Sequence, residues 1–331
     1  MPKAKPFIKW VGGKSQLIEQ LDALLPADFG NWDNVTYIEP FVGGGAMLFY
    51  MLQRYPNIQH TIINDINPNL ITCYRTIRDT PRRLIDALQD IEDTYRSIPT
   101  EEGRKVFFTS VRDHYNKDRL DPIESTINFI FLNRTCFNGL YRVNKKGEFN
   151  VPFGRYTNPT ICDPETILYD SELLQHVEIL NGDFEDTFTY ANGNTFFYFD
   201  PPYRPLSDTS SFVSYSKEAF NDEAQVRLKE YCDKINDAGF KFMLSNSDCK
   251  GHNKEDNFFD ILYADYQTER VWASRSINSN PNKRGKLTEI LIHNYTDTKS
   301  KARLCIPETS FLSNKQTVFI PALDRQYNER L

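Results

Sequence analysis

Apolar and polar positions alternate in a way that predicts strands followed by helices in the first part of the chain. A short apolar strand is expected at 35–39 and an apolar helix at 46–52, joined by a glycine-rich turn, and a second strand is expected at 61–63. Asn67 and Pro68 have the residue types of a helix N-cap and of a first helical position. This strand–helix–strand order is typical of a parallel sheet.

The same alternation resumes after the middle of the chain. Strands are expected at 177–180, 195–199, 240–244 and 289–292, and a helix is expected near 222–237. We therefore predict one α/β domain that is built from residues 1–68 and 179–297, with an insertion at 69–178. Residues 298–331 form a weakly patterned tail without an assignment.

The inserted segment has a different pattern. It is mostly helical from about residue 69 to 134, and residues 137–160 are rich in Asn, Gly and basic residues. Apolar residues at helical spacing define one face of the helical part: Leu84, Leu88, Ile91 and Tyr95. The residues at 144–147 are typical of a hairpin tip in which Gly147 supplies a positive φ.

Composition and charge narrow the functional classes. The chain has 331 residues, of which 40% are hydrophobic and 25% charged, as in a folded globular protein. The net charge of −6 implies no general affinity for polyanions, so any nucleic-acid contact must come from local clusters. No apolar run is long enough for a transmembrane helix, and no signal-peptide core follows the start. Isolated Cys and His residues predict a reduced, cytoplasmic, soluble protein without a metal site.

The strongest chemical signal is Asp200-Pro201-Pro202-Tyr203, which follows the apolar strand at 195–199. The two prolines fix φ and remove two backbone donors, so this segment presents carbonyl acceptors, a carboxylate and an aromatic ring. Such a set suits the exocyclic amino group of a flat base. The alternative is an ordinary proline turn with a capping aspartate.

A second signal is the segment Glu39-Pro40-Phe41-Val42-Gly43-Gly44-Gly45, together with Asp65 at the end of the next strand. A glycine turn lets a ligand approach the backbone, and the acidic residue can bind a ribose diol. The G-x-G-x-x-G spacing that seats a pyrophosphate is absent, so a nucleoside cofactor without pyrophosphate fits better than NAD. Alone, the turn could be a tight connection.

A third signal lies near the start, at Lys9-Trp10-Val11-Gly12-Gly13-Lys14-Ser15. Its end resembles a P-loop, but Ile8 stands where that motif needs glycine and no convincing strand precedes it, which excludes a nucleoside triphosphatase. Trp10 could instead pack on an adenine while Lys14 pairs with a cofactor carboxylate. The alternative is a surface lysine beside a core tryptophan.

A basic hairpin is the fourth signal. Residues 134–156 contain one acidic residue, Glu148, against five basic ones: Arg134, Arg142, Lys145, Lys146 and Arg155. An arginine can read guanine in the major groove, and apolar side chains can enter a base step. A second basic stretch at 270–286 is a candidate for phosphate contacts. The alternative for the hairpin is a solvated charged surface.

Together these motifs resemble the DNA adenine methyltransferase (Dam) family, which transfers a methyl group from S-adenosylmethionine to adenine N6. The resemblance covers about residues 5–295, and the position of the insertion ahead of Asp200–Tyr203 is that of the α group of amino-methyltransferases. Asn138-Gly139-Leu140-x-Arg142 and the stretch at 147–156 are similar to members that act on GATC. Position 137 is Phe here, whereas close relatives often carry Tyr. The change keeps the aromatic ring for stacking and removes the contact of a hydroxyl group.

The resemblance implies a Rossmann-like methyltransferase sheet at 1–68 and 179–297 and a helical and β-hairpin target-recognition domain at 69–178. The implied catalytic residues are Asp200, Pro201, Pro202 and Tyr203. The implied cofactor contacts are Trp10, Lys14, Glu39, Phe41, Gly43, Asp65, Asp183 and Asp200. The implied DNA contacts are Lys9, Arg134, Phe137, Asn138, Leu140, Arg142, Pro152, Arg155 and Arg275.

The implied partners are S-adenosylmethionine and double-stranded DNA, with the target adenine flipped out of the duplex and with no metal or membrane. We expect a monomer, and a cognate restriction endonuclease and a solitary role are both compatible with these residues. Three alternatives stay open at this point: a cytosine-N4 methyltransferase, a non-catalytic DNA-binding module, and a methyltransferase of RNA or protein amines.

Overall fold

The computed structural model describes residues 4–117, 120–204, 220–274 and 286–299. The strands in this part are β1 (Val35–Glu39), β2 (Ile58–Asn64), β3 (Val177–Leu180), β4 (Thr195–Phe199), β5 (Lys241–Ser247), β6 (Gln267–Ser274) and β7 (Lys286–His293). They form one sheet in the order β3-β2-β1-β4-β5-β7-β6. The first five strands are parallel, and β7 pairs antiparallel with β5 and β6. The α/β prediction is confirmed, and β6 is a strand that the sequence pattern did not indicate.

The described residues also form helices. They are α1 (Ile18–Ala23), α2 (Ala46–Arg54), α3 (Pro68–Asp79), α4 (Pro81–Ser97), α5 (Glu101–Tyr115), α6 (Pro122–Thr135), α7 (Pro164–Leu174), α8 (Asp222–Asp237), α9 (Cys249–His252) and α10 (Phe258–Leu262). Helices α3 to α7 lie between β2 and β3 in the chain, so the inserted segment is helical, as predicted. Between α6 and α7 it makes a turn, where the Gly147 N–H donates to the Asn144 carbonyl at 2.9 Å and Gly147 has a φ of 84°.

The start of α3 is fixed by the predicted cap. The Asn67 side chain accepts hydrogen bonds from the backbone N–H groups of Asn69 at 3.0 Å and Leu70 at 3.3 Å, and Pro68 is at the first turn. These bonds satisfy N–H groups that have no partner inside the helix. The chain therefore leaves the sheet directly after Asp65, which places that carboxylate at the end of β2.

Two hydrophobic clusters cover the opposite faces of the sheet. Tyr37 belongs to the cluster that continues into the inserted helices through Tyr74 of α3, whereas the next residue, Ile38, belongs to the cluster that includes Tyr231 of α8. Successive side chains of a strand point to opposite faces, so β1 contributes to both. All five residues of β1 and of β4 are buried, as expected for central parallel strands.

The first residues of the described chain are fastened to the inserted helices. The Lys5 N–H donates to Asp170 Oδ1 of α7 at 3.1 Å, and an Arg134 amino group donates to the Phe7 carbonyl at 2.6 Å. Asp170 is completely buried, and its Oδ2 has no hydrogen-bond donor among the described residues. Burial raises the pKa of Asp170 from its ordinary value of 3.8 to about 8.

Asp170→Asn is expected to remove part of the pH dependence of stability. A raised folded-state pKa means that the folded protein holds this proton more tightly, so the wild type loses stability as the pH rises from about 4 through 8. Asparagine keeps an acceptor for the Lys5 N–H and does not ionise. Relative to wild type, the variant should gain at most about 1.4 kcal/mol per pH unit in this range, measured by urea unfolding. Asp28→Asn, at an exposed position, is the control; parallel pH profiles for wild type and Asp170→Asn would contradict the assignment.

Candidate active site

The predicted catalytic and cofactor-binding segments meet where the parallel strands end, on the side of the sheet formed by the carboxyl ends of the strands. Strand β1 lies between β2 and β4, and the order of the strands reverses between β1 and β4. Open α/β sheets bind ligands at such a reversal, outside the carboxyl ends of the strands. Gly43 follows β1, Asp65 follows β2 and Asp200 follows β4, so three segments singled out in the sequence share this side of the sheet.

Asp200 belongs to a cluster of charged and polar side chains. Its Oδ1 lies 2.9 Å from Lys14 Nζ and accepts a hydrogen bond from Ser245 Oγ at 3.2 Å. The Lys14 side chain is only 3% exposed, and its ammonium also donates to the Gly12 carbonyl at 2.7 Å. Burial raises the pKa of Asp200, and the Lys14 ammonium opposes that shift. The structure therefore brings the loop at 9–15 against the segment at 200–203.

Tyr203 completes this cluster. Its hydroxyl donates to Glu289 Oε2 at 2.6 Å, and its ring centroid lies 4.4 Å from Lys14 Nζ. Glu289 Oε2 is also 3.8 Å from Lys14 Nζ. Sequence reasoning missed Glu289, whose only signal is a carboxylate directly before the apolar run 290–292 of β7.

Two buried amides support the backbone of the segment at 200–204. Gln225 Nε2 donates to the Pro202 carbonyl at 3.2 Å, and Asn246 Oδ1 accepts from the Arg204 N–H at 3.3 Å. The amides bond to each other, with Asn246 Nδ2 donating to Gln225 Oε1 at 3.1 Å. Both side chains are completely buried, whereas Pro202 is exposed. Sequence reasoning missed this pair too; polar residues at otherwise buried positions of α8 and β5 were the available signal.

The turn after β1 and the end of β2 form a second polar arrangement. Asp65 accepts hydrogen bonds from the backbone N–H groups of Gly43 at 3.1 Å and of Asn67 at 2.9 Å. Burial raises the pKa of Asp65, and these two N–H groups oppose that shift. Gly43 has a φ of 49°, and a Cβ there would lie 3.0 Å from Trp10 Cδ1. Glycine is thus required both by the backbone angle and by the approach of the indole.

Two further predicted residues lie beside this turn. Trp10 stacks on Tyr141 with ring centroids 5.4 Å apart and planes 24° apart, so the loop at 9–15 rests on the inserted segment. Glu39 is buried at the end of β1 and accepts a hydrogen bond from the Tyr37 hydroxyl. Burial raises the pKa of Glu39 to about 8, and Asp200 adds to that shift.

Asp183 and Phe41 are linked through Phe184. The rings of Phe41 and Phe184 are 5.2 Å apart, and the guanidinium of Arg227 lies 4.5 Å from the Phe184 ring. Arg227 forms an ion pair with the Asp183 carboxylate, which also accepts from the Glu185 N–H at 3.0 Å. Arg227 lowers the pKa of Asp183 against the effect of burial. The carboxylate expected to touch the cofactor therefore already has a cationic partner.

The turn at 137–140 presents the residues that were predicted to enter DNA. Phe137 is 51% exposed, Leu140 is half-buried, and Asn138 has a φ of 56°. Asn133 ties this turn to the N-terminal loop, because its amide donates to the carbonyls of Lys9 at 2.8 Å and Gly139 at 3.0 Å. It also accepts from the Lys9 N–H at 2.9 Å. The structure thus joins the predicted base-contacting turn to the loop that carries Trp10 and Lys14.

The predicted DNA-binding arginines have different environments. Arg134 is half-buried, and burial lowers its pKa. Arg142 donates from Nε to Asn150 Oδ1 at 2.7 Å and from Nη2 to the Asn150 carbonyl at 3.1 Å, across the hairpin. Arg155 is exposed, with a φ of 61° and its Nε 3.6 Å from a Glu101 carboxylate oxygen. Arg142 and Arg155 are thus placed on the hairpin, whereas Arg134 is mainly engaged inside the fold.

The remaining predicted DNA contacts are exposed or lie elsewhere. Pro152 is exposed and its carbonyl accepts from the Phe137 N–H at 2.8 Å, while the exposed Lys9 has its Nζ 5.3 Å from the Tyr156 ring. In the second basic stretch, Arg270 pairs with two aspartates, Asp248 at 3.1 Å and Asp260 at 2.9 Å. Its charge is therefore compensated within the protein. Arg275 lies outside the described residues.

Comparison with known proteins decides what kind of site this is. The profile of the D12 class N6 adenine-specific DNA methyltransferase family matches residues 10–277. The chain belongs to this family.

Relatives of the D12-class enzyme are similar over most of its length. The type II methyltransferase M.MjaIII of Methanocaldococcus jannaschii is 47% identical over 296 residues, which cover 88% of this chain and 100% of that protein. The type II methyltransferase M1.LlaDCHI of Lactococcus lactis is 38% identical, with 88% and 95% covered. The DNA adenine methylase of Vibrio cholerae is 32% identical over 293 residues, with 88% and 96% covered.

Family membership confirms the resemblance to DNA adenine methyltransferases and favours adenine over the cytosine-N4 alternative. It also favours an enzyme over a non-catalytic DNA-binding module. None of the helices in the described ranges has the length and apolarity to cross a membrane. Within those ranges, no group of three or more His, Cys, Asp or Glu residues is placed to hold a metal ion.

Several side chains of the D12 methyltransferase site have the chemistry to bind S-adenosylmethionine. Asp65 is a carboxylate of the kind that binds a ribose diol, and it accepts from the Gly43 N–H at the turn after β1, where the Trp10 indole approaches the backbone. Trp10 and Phe41 are half-buried aromatic rings suited to an adenine face, and Lys14 is an ammonium suited to a carboxylate. The donor set therefore fits a sulfonium nucleoside that carries an amino-acid group.

Proposed function

We propose that this D12 methyltransferase transfers a methyl group from S-adenosylmethionine to N6 of an adenine that is flipped out of double-stranded DNA, within the sequence GATC. The observation that carries this proposal is the cluster of Asp200, Tyr203 and Lys14 at the point where the strand order of the sheet reverses. The GATC assignment rests on the resemblance of the hairpin sequence at 138–156 to that of GATC-specific members.

The reaction requires activation of a weak nucleophile, because the N6 lone pair of adenine is delocalised into the ring. We assign Asp200 and the Pro201 carbonyl as acceptors of the two amino hydrogens, which favours a pyramidal nitrogen and stabilises its developing positive charge. Both described contacts of the Asp200 carboxylate go to Oδ1, so we assign Oδ2 to the base. S-adenosylmethionine supplies a methyl group that is activated by its sulfonium centre when it is bound.

The target base must leave the duplex to reach Asp200, which costs a few kcal/mol of unstacking. We assign Tyr203 as the surface on which the flipped adenine stacks, and Phe137 and Leu140 as the side chains that fill the opened step. Phe137 is exposed on a turn that Asn133 ties to the loop at 9–15, which supports a role in which DNA entry is coupled to the site.

We propose that the two parts of the chain have the functions that the sequence predicted. Residues 1–68 and 179–297 bind the cofactor and carry out the transfer, and residues 69–178 contact DNA, in an enzyme that acts as a monomer. The two parts share one hydrophobic cluster, which supports a close association between them.

The test is methyl transfer from labelled S-adenosylmethionine to two matched duplexes, one with a single GATC and one with GTAC in its place. Label recovered as N6-methyladenine from the GATC duplex alone is the expected result. Label in both duplexes would retain the methyltransferase and overturn the assignment of the hairpin. If folded protein that binds the cofactor labels neither duplex, the enzyme must recognise another DNA sequence or methylate another amine substrate.

Asp65→Asn is expected to weaken cofactor binding by about 10- to 100-fold, since a hydrogen bond to a charged group contributes about 1.5–3 kcal/mol. The measurement is calorimetric titration with S-adenosylmethionine. Asp28→Asn replaces an exposed aspartate whose side chain makes no helix-cap bond, and it should bind as tightly as wild type. Unchanged affinity in Asp65→Asn, with an unchanged melting temperature, would remove Asp65 from the cofactor site.

A further inference from the structure

Glu289 is the one carboxylate of the active-site cluster that the proposed reaction leaves without a role. It lies on β7, the strand between β5 and β6, where its backbone pairs with Ser247 on one side and Val271 on the other. A residue held between two strands has a well-fixed backbone. Its side chain is 19% exposed, so the carboxylate is mostly shielded from water.

This carboxylate holds the hydroxyl of Tyr203. The O–H donates to Glu289 Oε2 at 2.6 Å, and burial together with Asp200 and Glu289 raises the pKa of Tyr203 well above its ordinary value. The phenol therefore remains a donor at any working pH. A hydrogen bond to an ionised acceptor is shorter and stronger than one between neutral groups.

The ring of Tyr203 is fixed at two points as a result. Glu289 holds the hydroxyl end, and the Lys14 ammonium lies on the ring 4.4 Å from its centroid. Lys14 is in turn held by Asp200 at 2.9 Å. With one face against Lys14, the opposite face is the one that we assign to the target adenine.

We propose that Glu289 is a positioning residue that sets the plane of the Tyr203 ring and, through it, the plane of the flipped adenine relative to Asp200. This inference rests on the proposed function, in which the adenine stacks on Tyr203. Small errors in this plane would misdirect the amino group, and a displacement of about 1 Å at a reacting centre can cost about a hundredfold in rate.

A second role for Glu289 has to be separated from this one. Its Oε2 is 3.8 Å from Lys14 Nζ, so its charge also acts on the ammonium. Glu289→Gln removes the charge and keeps a carbonyl acceptor for the Tyr203 hydroxyl, whereas Glu289→Ala removes both. The two substitutions therefore distinguish the hydrogen bond from the charge.

The experiment is a double-mutant cycle on the single-turnover rate of methyl transfer, with saturating DNA and S-adenosylmethionine. Glu289→Ala and Tyr203→Phe should each lower this rate about tenfold, and the double variant should be no slower than either single variant. Glu289→Gln should remain within about threefold of wild type. Affinity for S-adenosylmethionine should be unchanged in all four proteins.

Two substitutions away from the site serve as controls. Glu178→Ala removes an exposed strand glutamate from β3, and Tyr190→Phe removes the hydroxyl of a tyrosine that is 37% exposed. Both should transfer at the wild-type rate. Denaturant unfolding of the wild type and the three variants of the cycle reports the same Tyr203–Glu289 coupling without turnover.

Three results would overturn the positioning role. The first is a double variant whose fold-loss in rate equals the product of the two single losses, and the second is a wild-type rate in Glu289→Ala. The third is a rate in Glu289→Gln as low as that in Glu289→Ala. The third result would assign the effect to the charge of Glu289 acting on the Lys14 ammonium. Failure of the proposed function is distinct, because wild-type protein would then methylate no adenine-containing duplex, and the positioning role would fall with it.

Discussion

Replacing Asp200 with alanine is expected to lower the single-turnover rate of methyl transfer by on the order of a thousandfold. The carboxylate is assigned as the acceptor that stabilises positive charge on N6 as the methyl group arrives, and loss of one such preorganised group typically costs two to three orders of magnitude. The measurement is transfer of labelled methyl to a GATC duplex at saturating DNA and cofactor.

The alanine variant is also expected to be less stable, so a second variant is needed. Lys14 is 3% exposed and would lose the nearer of its two carboxylates, at 2.9 Å, and keep only Glu289 at 3.8 Å. A buried charge that loses its main partner is destabilising. Asp200→Asn keeps an oxygen acceptor toward Lys14 and Ser245 but loses the negative charge. It should remain folded by thermal melting and still lower the rate by about a hundredfold.

Transfer near the wild-type rate in folded Asp200→Asn and Asp200→Ala would remove Asp200 from the chemistry. A rate loss that matched a loss of folded protein would assign Asp200 a purely structural role. Glu178→Gln, at an exposed position of β3, is the matched control for neutralising a carboxylate and should leave the rate unchanged.

The sheet could be predicted from the sequence because its central strands are buried on both faces. Such strands appear in a sequence as short, largely apolar runs. Every residue of β1 and of β4 is buried. The helix cap at Asn67 and the hairpin tip at Gly147 were also predictable, since each depends on local chemistry. Strand β6 was missed because its sequence mixes charged and apolar residues, as is typical of the outermost strand of a sheet, which is its place among the described strands.

The candidate site was predictable only where its residues are adjacent in the chain. The residue types of the Asp200–Tyr203 segment indicate its chemistry without further context. Glu289, by contrast, lies 86 positions from Tyr203 in the chain, and only the fold brings the two side chains together. The Gln225–Asn246 pair was missed for the same reason. Conversely, Arg270 looked like a phosphate contact because the sequence does not show that Asp248 and Asp260 neutralise it.

Arg142→Ala is expected to relax the choice of sequence more than it weakens DNA binding. An arginine that reads guanine O6 and N7 in the major groove discriminates by about 1–3 kcal/mol, so the preference for GATC over AATC should fall by about 10- to 100-fold in kcat/KM. In the structure the guanidinium is oriented by two hydrogen bonds to Asn150, which fixes the direction in which its free edge points. Arg142→Lys keeps the charge but loses the planar fork, so it should lose most of the preference as well.

Lys146→Ala is the control that separates base reading from general attraction to DNA. Lys146 is exposed at the tip of the same hairpin, and losing a phosphate contact weakens binding to all sequences equally while it reduces the salt dependence by about one ion. Competition between GATC and AATC duplexes at several salt concentrations measures both effects in one experiment. A uniform loss of turnover in Arg142→Ala, with the preference for GATC intact, would remove Arg142 as the residue that reads the guanine.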